Sequence, residues 1–100
     1  MNMILVRDIF QLKFGKAKEA MTMLREGLKI AAKGGYTPDR LLTDLTGEYY
    51  TLIMEGVFAN LSEFEKTLTA EMASDEWKQW YQNFTPLVDS GRREIFNIVK

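Results

Sequence analysis

The stretch "DEWKQWYQNF", residues 75–84, holds both tryptophans of the chain and four of its twelve aromatic residues. Trp77, Trp80, Tyr81 and Phe84 fall at relative positions 0, 3, 4 and 7. That spacing is one stripe on one helix, with the charges between the rings on its other side. Such a stripe has two uses. It can lay a helix on a sheet as core, or it can roof a pocket for an apolar or aromatic ligand, with indole N–H and phenol O–H groups as polar handles. Asp8 is the next candidate, a carboxylate among Ile4, Val6 and Phe10 on an apolar run. Buried there it needs a hydrogen-bond partner or a raised pKa, so it is either a polar group of a pocket or a residue at a rim. Arg7 and Glu55 fall on the same face of neighbouring strands. They read most simply as a cross-strand ion pair, with a polar anchor for a ligand or an interface as the alternative.

Composition excludes much other chemistry. There is no cysteine, so disulfides, thiolate catalysis and zinc–sulfur or iron–sulfur sites are ruled out. There is no histidine, which removes the commonest general base and the usual haem and transition-metal ligand. No metal and no cofactor are therefore expected. The net charge of −1 and a pI of about 5.4 offer no basic field to nucleic acid or to an anionic membrane. The N-terminal "MNMILVRDIF" reaches charge at Arg7, too soon for a signal-peptide core, and no apolar run approaches the roughly 20 residues of a membrane span. The expectation is a cytoplasmic protein of one domain, residues 1–100, with no nucleic-acid or membrane partner.

The elements that must position these residues follow from periodicity and turn chemistry. Met3–Leu12 is rich in Ile, Leu, Val and Phe and reads as strand one, broken by Phe14-Gly15. From Lys16 to Lys33, Ala17, Ala20, Met21, Leu24, Leu28 and Ala31 recur three and four apart, an amphipathic helix that Gly34-Gly35 ends. Asp39–Leu45 and Tyr49–Phe58 are expected to form a hairpin around Thr46–Glu48. Asn60 caps a second helix with Glu63 answering, and its apolar stripe is Leu61, Phe64, Leu68 and Met72. Ser74 caps the aromatic helix, Pro86 and "DSG" at 89–91 break the chain, and Glu94–Val99 is the last strand. The order is β-α-β-β-α-β, an α+β fold of the ferredoxin-like kind: a sandwich of a four-stranded antiparallel sheet with its helices on one face.

Both faces of the strands are largely apolar. Ile4, Val6, Asp8, Phe10 and Leu12 share one face of strand one, and Leu52, Met54 and Phe58 share the matching face of strand three. Leu5, Ile9, Ile53 and Val57 lie on the face opposite the helices, where a lone subunit would leave them bare. The simplest cover is a second copy of the same sheet, so a homodimer through the sheet face is expected. The pocket candidates are Asp8, Phe10, Met54, Trp77, Trp80, Tyr81 and Phe84, facing a small apolar or aromatic ligand between sheet and helices. Patterns that other proteins of this topology use are absent. There is no CxxC metal-carrier pair, no RNA-recognition pattern of glycine, aromatic and basic residues, and no glycine-rich phosphate cradle.

The whole chain resembles the dimeric α+β barrel superfamily, and within it the NIPSNAP-like family. The likeness is carried by "LKFGKAKEAMTML", by "LTGEYYTLIMEGVFANLSEFEKTL" and by "SDEWKQWYQNFTPLVDSGRREIF". Phe14 stands where such sequences often place proline before Gly15, and Arg7 stands one position from where they often carry arginine. The superfamily includes cofactor-independent monooxygenases, haem-degrading enzymes and many proteins without assigned activity. The resemblance therefore implies a homodimeric small-ligand-binding or structural protein. The alternative is a cofactor-independent monooxygenase-like enzyme acting on a small aromatic or polyketide-like compound.

Overall fold

Residues 3–100 are described in the computed structural model. Strand β1 spans Ile4–Leu12, helix α1 Ala17–Lys33, β2 Arg40–Thr43, β3 Thr51–Phe58, α2 Leu61–Met72, α3 Asp75–Phe84 and β4 Val88–Asn97. A 3-10 turn over Thr85–Leu87 leads into β4. The four strands form one antiparallel sheet in the order β2-β3-β1-β4. The helices cover one face of it, as expected for a ferredoxin-like α+β fold.

The core sits between that face and the α1–α3 pair. Leu12 and Leu52 from the sheet meet Ala20 and Leu24 of α1 and Trp80 and Phe84 of α3. Helix α3 lies on α1 because α1 has a notch. Gly27 carries no side chain, and a Cβ there would lie 2.5 Å from Cε2 of the Trp80 ring. The Trp80 indole donates its Nε1–H to the Met23 carbonyl, 2.5 Å away, so the ring is held in place at both ends. At the outer end of the pair Lys33 in the last turn of α1 meets Glu76 in the first turn of α3 at 3.0 Å. Each charge there also suits its own helix dipole.

Helix starts follow the capping residues. Asn60 Oδ1 accepts from the Glu63 backbone N–H at 2.9 Å, and Ser74 Oγ accepts from that of Trp77 at 3.2 Å. Helix α2 nonetheless buries none of its residues. Its expected stripe divides: Leu61 and Met72 are exposed, while Phe64 and Leu68 face open space above the sheet.

Three boundaries differ from those expected. The last strand begins at Val88 rather than Glu94, and Ser90-Gly91 pairs with β1 instead of breaking the chain. A bulge absorbs the irregularity: Gln11 pairs Ser90 and Leu12 pairs Val88, leaving Asp89 as the extra residue. Gly91 opposes Phe10, whose ring occupies the space a Cβ would need, with Cδ1 only 3.1 Å from that position. The hairpin is also looser than expected. Strand β2 stops at Thr43 and β3 starts at Thr51. Asp44 closes the loop by accepting from the Thr51 N–H at 2.9 Å, and the chain turns through Gly47 (φ 109°) and Tyr50 (φ 59°). Tyr49 and Tyr50 therefore belong to the loop and pack beside Phe14.

Gly27→Ala is expected to destabilise the protein by up to about 2 kcal/mol. The overpacking cost of about 1–3 kcal/mol exceeds the helix-propensity gain of about 1 kcal/mol, because Trp80 cannot retreat. Urea unfolding of the two proteins measures the difference.

Candidate functional site

A cavity of about 470 Å³, partly open to solvent, lies between the sheet and the three helices. All seven residues expected at a pocket line it. Phe10 and Met54 form part of its floor, with Asp8 beside them. Trp77, Trp80, Tyr81 and Phe84 form the wall given by α3. The rings of that wall run in sequence: Trp77 and Trp80 have centroids 4.7 Å apart, Trp80 and Phe84 stack at 4.8 Å, and Phe84 meets Phe10 edge-on at 6.0 Å. The stripe is therefore both core and wall. Trp80 and Phe84 are buried, whereas Tyr81 is 51% exposed and stands at the rim rather than inside.

The indole of Trp80 has its hydrogen-bond partner within the protein, so Trp80 offers a ligand its ring face and not its N–H. The polar groups of the cavity lie elsewhere. Asp8 Oδ1 accepts from Arg93 Nε of β4 at 2.6 Å. The Arg93 guanidinium lies over the Phe64 ring, 5.1 Å from its centroid, so its flat face is held by α2. Glu71, from the last turns of α2, lines the same end, and Tyr36, from the loop after α1, completes it. Tyr36 stacks on Phe58 at 5.7 Å and lies across Gly56, where a Cβ would come within 2.6 Å of its hydroxyl.

These groups shift one another. Burial pushes the Tyr36 phenol up to about 12, with Asp8, Glu71 and Asp39 adding to it and Arg93 opposing. Burial also pushes the Glu71 carboxyl above its usual range; Asp8 adds and Arg93 opposes. Both shifts run towards the protonated form, driven first by poor solvation and then by neighbouring carboxylates.

Sequence reasoning found Asp8 and missed its three companions. Arg93 was outside the strand face considered, because the last strand was placed too late to bring it opposite Asp8. Their pairing follows from the register, in which Asp8 opposes Arg93 directly. Glu71 sits between Leu68 and Met72 of an apolar stripe, and Tyr36 in a loop; neither carries a local signal.

The other face of the sheet carries rows of paired residues that point the same way. Phe96, Leu5 and Val57 form one row, and Ile9, Ile53 and Leu42, with Arg92 at the β4 end, form another. Between them runs Glu94, Arg7, Glu55 and Arg40. The Arg7–Glu55 pair is present, with Nε 2.8 Å from Oε2, and Arg40 adds Nε and Nη2 contacts to Oε1 at 2.9 and 2.5 Å. Glu55 is only 1% exposed although no helix covers it. The two arginines are its cover, and their hydrogen bonds, Arg40 first, hold its carboxyl below the usual carboxylate range. Among the described residues no group of three acidic side chains is placed to hold a metal ion, and no helix is long and apolar enough to cross a membrane.

Fold and cavity together define a ferredoxin-like α+β domain with a pocket between its sheet and its helices. Among solved structures, the chain is similar to NIPSNAP family proteins. One from Agrobacterium tumefaciens superposes with a TM-score of 0.91 at 19% sequence identity, over 98% of this chain and 87% of that chain. A second from the same organism, described as of unknown function, gives a TM-score of 0.92 at 15% identity, over 99% and 90%. SnoaB, a cofactor-independent oxygenase from Streptomyces nogalater, shares the fold more distantly, with a TM-score of 0.73 at 13% identity over 100% and 96%. No family model and no curated protein matches the chain.

The Tyr36 shift has a measurable consequence. An ultraviolet titration of tyrosinate formation is expected to contain a step near 12 that Tyr36→Phe abolishes. The phenol ionises sooner in the unfolded chain, so the folded state binds more protons and its stability falls as the pH rises from 10.0 towards about 12. Tyr36→Phe flattens that fall.

Proposed function

We propose that the chain, a single domain over residues 1–100, works as a homodimeric small-ligand-binding protein of the NIPSNAP-like type. Its ligand is a small apolar or aromatic compound held beneath α3. One observation carries this reading: the space under residues 75–84 is empty. Protein cores are close-packed and leave few voids larger than a water molecule, whereas ligand pockets run to about 300–1,000 Å³. A cavity of about 470 Å³ walled by four aromatic side chains of α3 belongs to the second class. A thermal-shift screen of small aromatic compounds tests it. A binder present at about 100 times its Kd adds about 2.7 kcal/mol to stability and raises Tm. Leu68→Trp, which fills the space, is expected to abolish that rise. A flat Tm across the screen counts against the reading.

The dimer is the second part of the proposal, supported by the apolar rows of the open sheet face. Val57 and Phe96 are 37% and 44% exposed there in a single subunit. The charged row between them sets two carboxylates against two guanidiniums, and Arg92 beside Glu94 adds a third, so the face carries little net charge to repel a copy. Light scattering is expected to give a particle of twice 11.6 kDa. Val57→Lys, at a site solvent already reaches, is expected to yield a folded 11.6 kDa species. A clean 11.6 kDa species from the unaltered chain would overturn the dimer.

The alternative is a cofactor-independent monooxygenase-like enzyme acting on a small aromatic or polyketide-like compound. It is supported by the fold likeness to SnoaB. It ranks second because such chemistry needs an ionised, anionic substrate, and the polar end of this cavity sets two acids against one guanidinium.

A further inference from the structure

The cavity is asymmetric. Its α3 end is aromatic, and Trp80 there spends its N–H within the protein, while its other end gathers Asp8, Glu71, Tyr36 and Arg93. We infer that this polar end selects a ligand whose apolar or aromatic body carries a protonated amine, in preference to one carrying a carboxylate or phosphate. The inference rests on the ligand-binding reading above and names the chemistry of the head group.

Arg93 is the cation an anionic ligand would seek, and it is already engaged. Its Nε donates to Asp8 at 2.6 Å and its face lies on Phe64. An anion entering this end would meet the carboxyl groups of both Asp8 and Glu71 with that single guanidinium shared among them. An ammonium meets the reverse situation. Glu71 makes no ion pair of its own among the described residues, and the carboxyl of Asp8 retains acceptor capacity beyond one bond to Arg93. The upward shift of Glu71, which comes first from burial and then from Asp8 and which Arg93 only opposes, agrees with the geometry. The Tyr36 hydroxyl, kept protonated, offers an acceptor lone pair to an N–H donor. The rings beyond attract cations through their faces, as Phe64 already does with Arg93.

Three probes with one body and different heads test this: tryptamine, tryptophol and indole-3-acetate. Their affinities for the intact protein are measured by calorimetry at one pH and salt concentration. Tryptamine is expected to bind roughly tenfold more tightly than tryptophol, and indole-3-acetate more weakly than either. Glu71→Gln is expected to remove the advantage of tryptamine over tryptophol. Asp8→Asn frees Arg93 and is expected to move the preference towards the acid. Equal binding of all three, or tighter binding of the acid, overturns the inference and leaves the ligand-binding reading standing. If tryptophol and the other two all fail to bind, while Leu68→Trp and the unaltered chain melt alike, both fall together.

Discussion

The arrangement of this molecule turns on the seat of one indole. Trp80 lies in the notch of Gly27 and hydrogen-bonds the Met23 carbonyl, four residues earlier on α1. That contact sets the distance and the angle between α1 and α3. With α3 committed to α1, it cannot also close on α2. Helix α2 then stands over β3 with no buried residue, and the gap between the two helical units is the cavity. The same indole that completes the core thus keeps the space beside it open.

The sheet serves two environments from one set of strands. On the helix side, β1 and β3 present Leu12 and Leu52 to the core and Phe10 and Met54 to the cavity. On the other side an ionic row is laid between two apolar rows. A carboxylate shielded by two guanidiniums avoids the cost of an unpaired buried charge, so Glu55 tolerates its near-complete loss of water. Such a row contributes less to the strength of an association than to its register, since balanced charges break even against solvation while mismatched ones repel.

Two features bear jointly on what the cavity can take. Its walls give a ligand apolar area and ring faces, which favour binding without selecting among bodies of similar size. Its polar end selects by charge, because Asp8 already occupies the one arginine and Glu71 does not. Likeness to NIPSNAP structures supports the fold on which this rests, and likeness to an oxygenase supports no more than the fold.

The order of elements, the faces of β1 and β3 and the stripe of α3 were legible in the sequence, because they depend on local periodicity and on capping residues such as Asn60 and Ser74. So was the meeting of one strand face and one helix face that brings seven of the lining residues to the cavity. The start of β4 was not legible: a bulge at Asp89 and a glycine beneath Phe10 make a strand out of residues that usually end one. Nor was the polar end. Tyr36, Glu71 and Arg93 come from a loop, a helix and a strand, and only strand register and helix placement bring them to Asp8. Periodicity told that the rings of "DEWKQWYQNF" face inward. Whether they meet other side chains or empty space depends on volumes summed over every element around them, and that was decided by the tertiary structure alone.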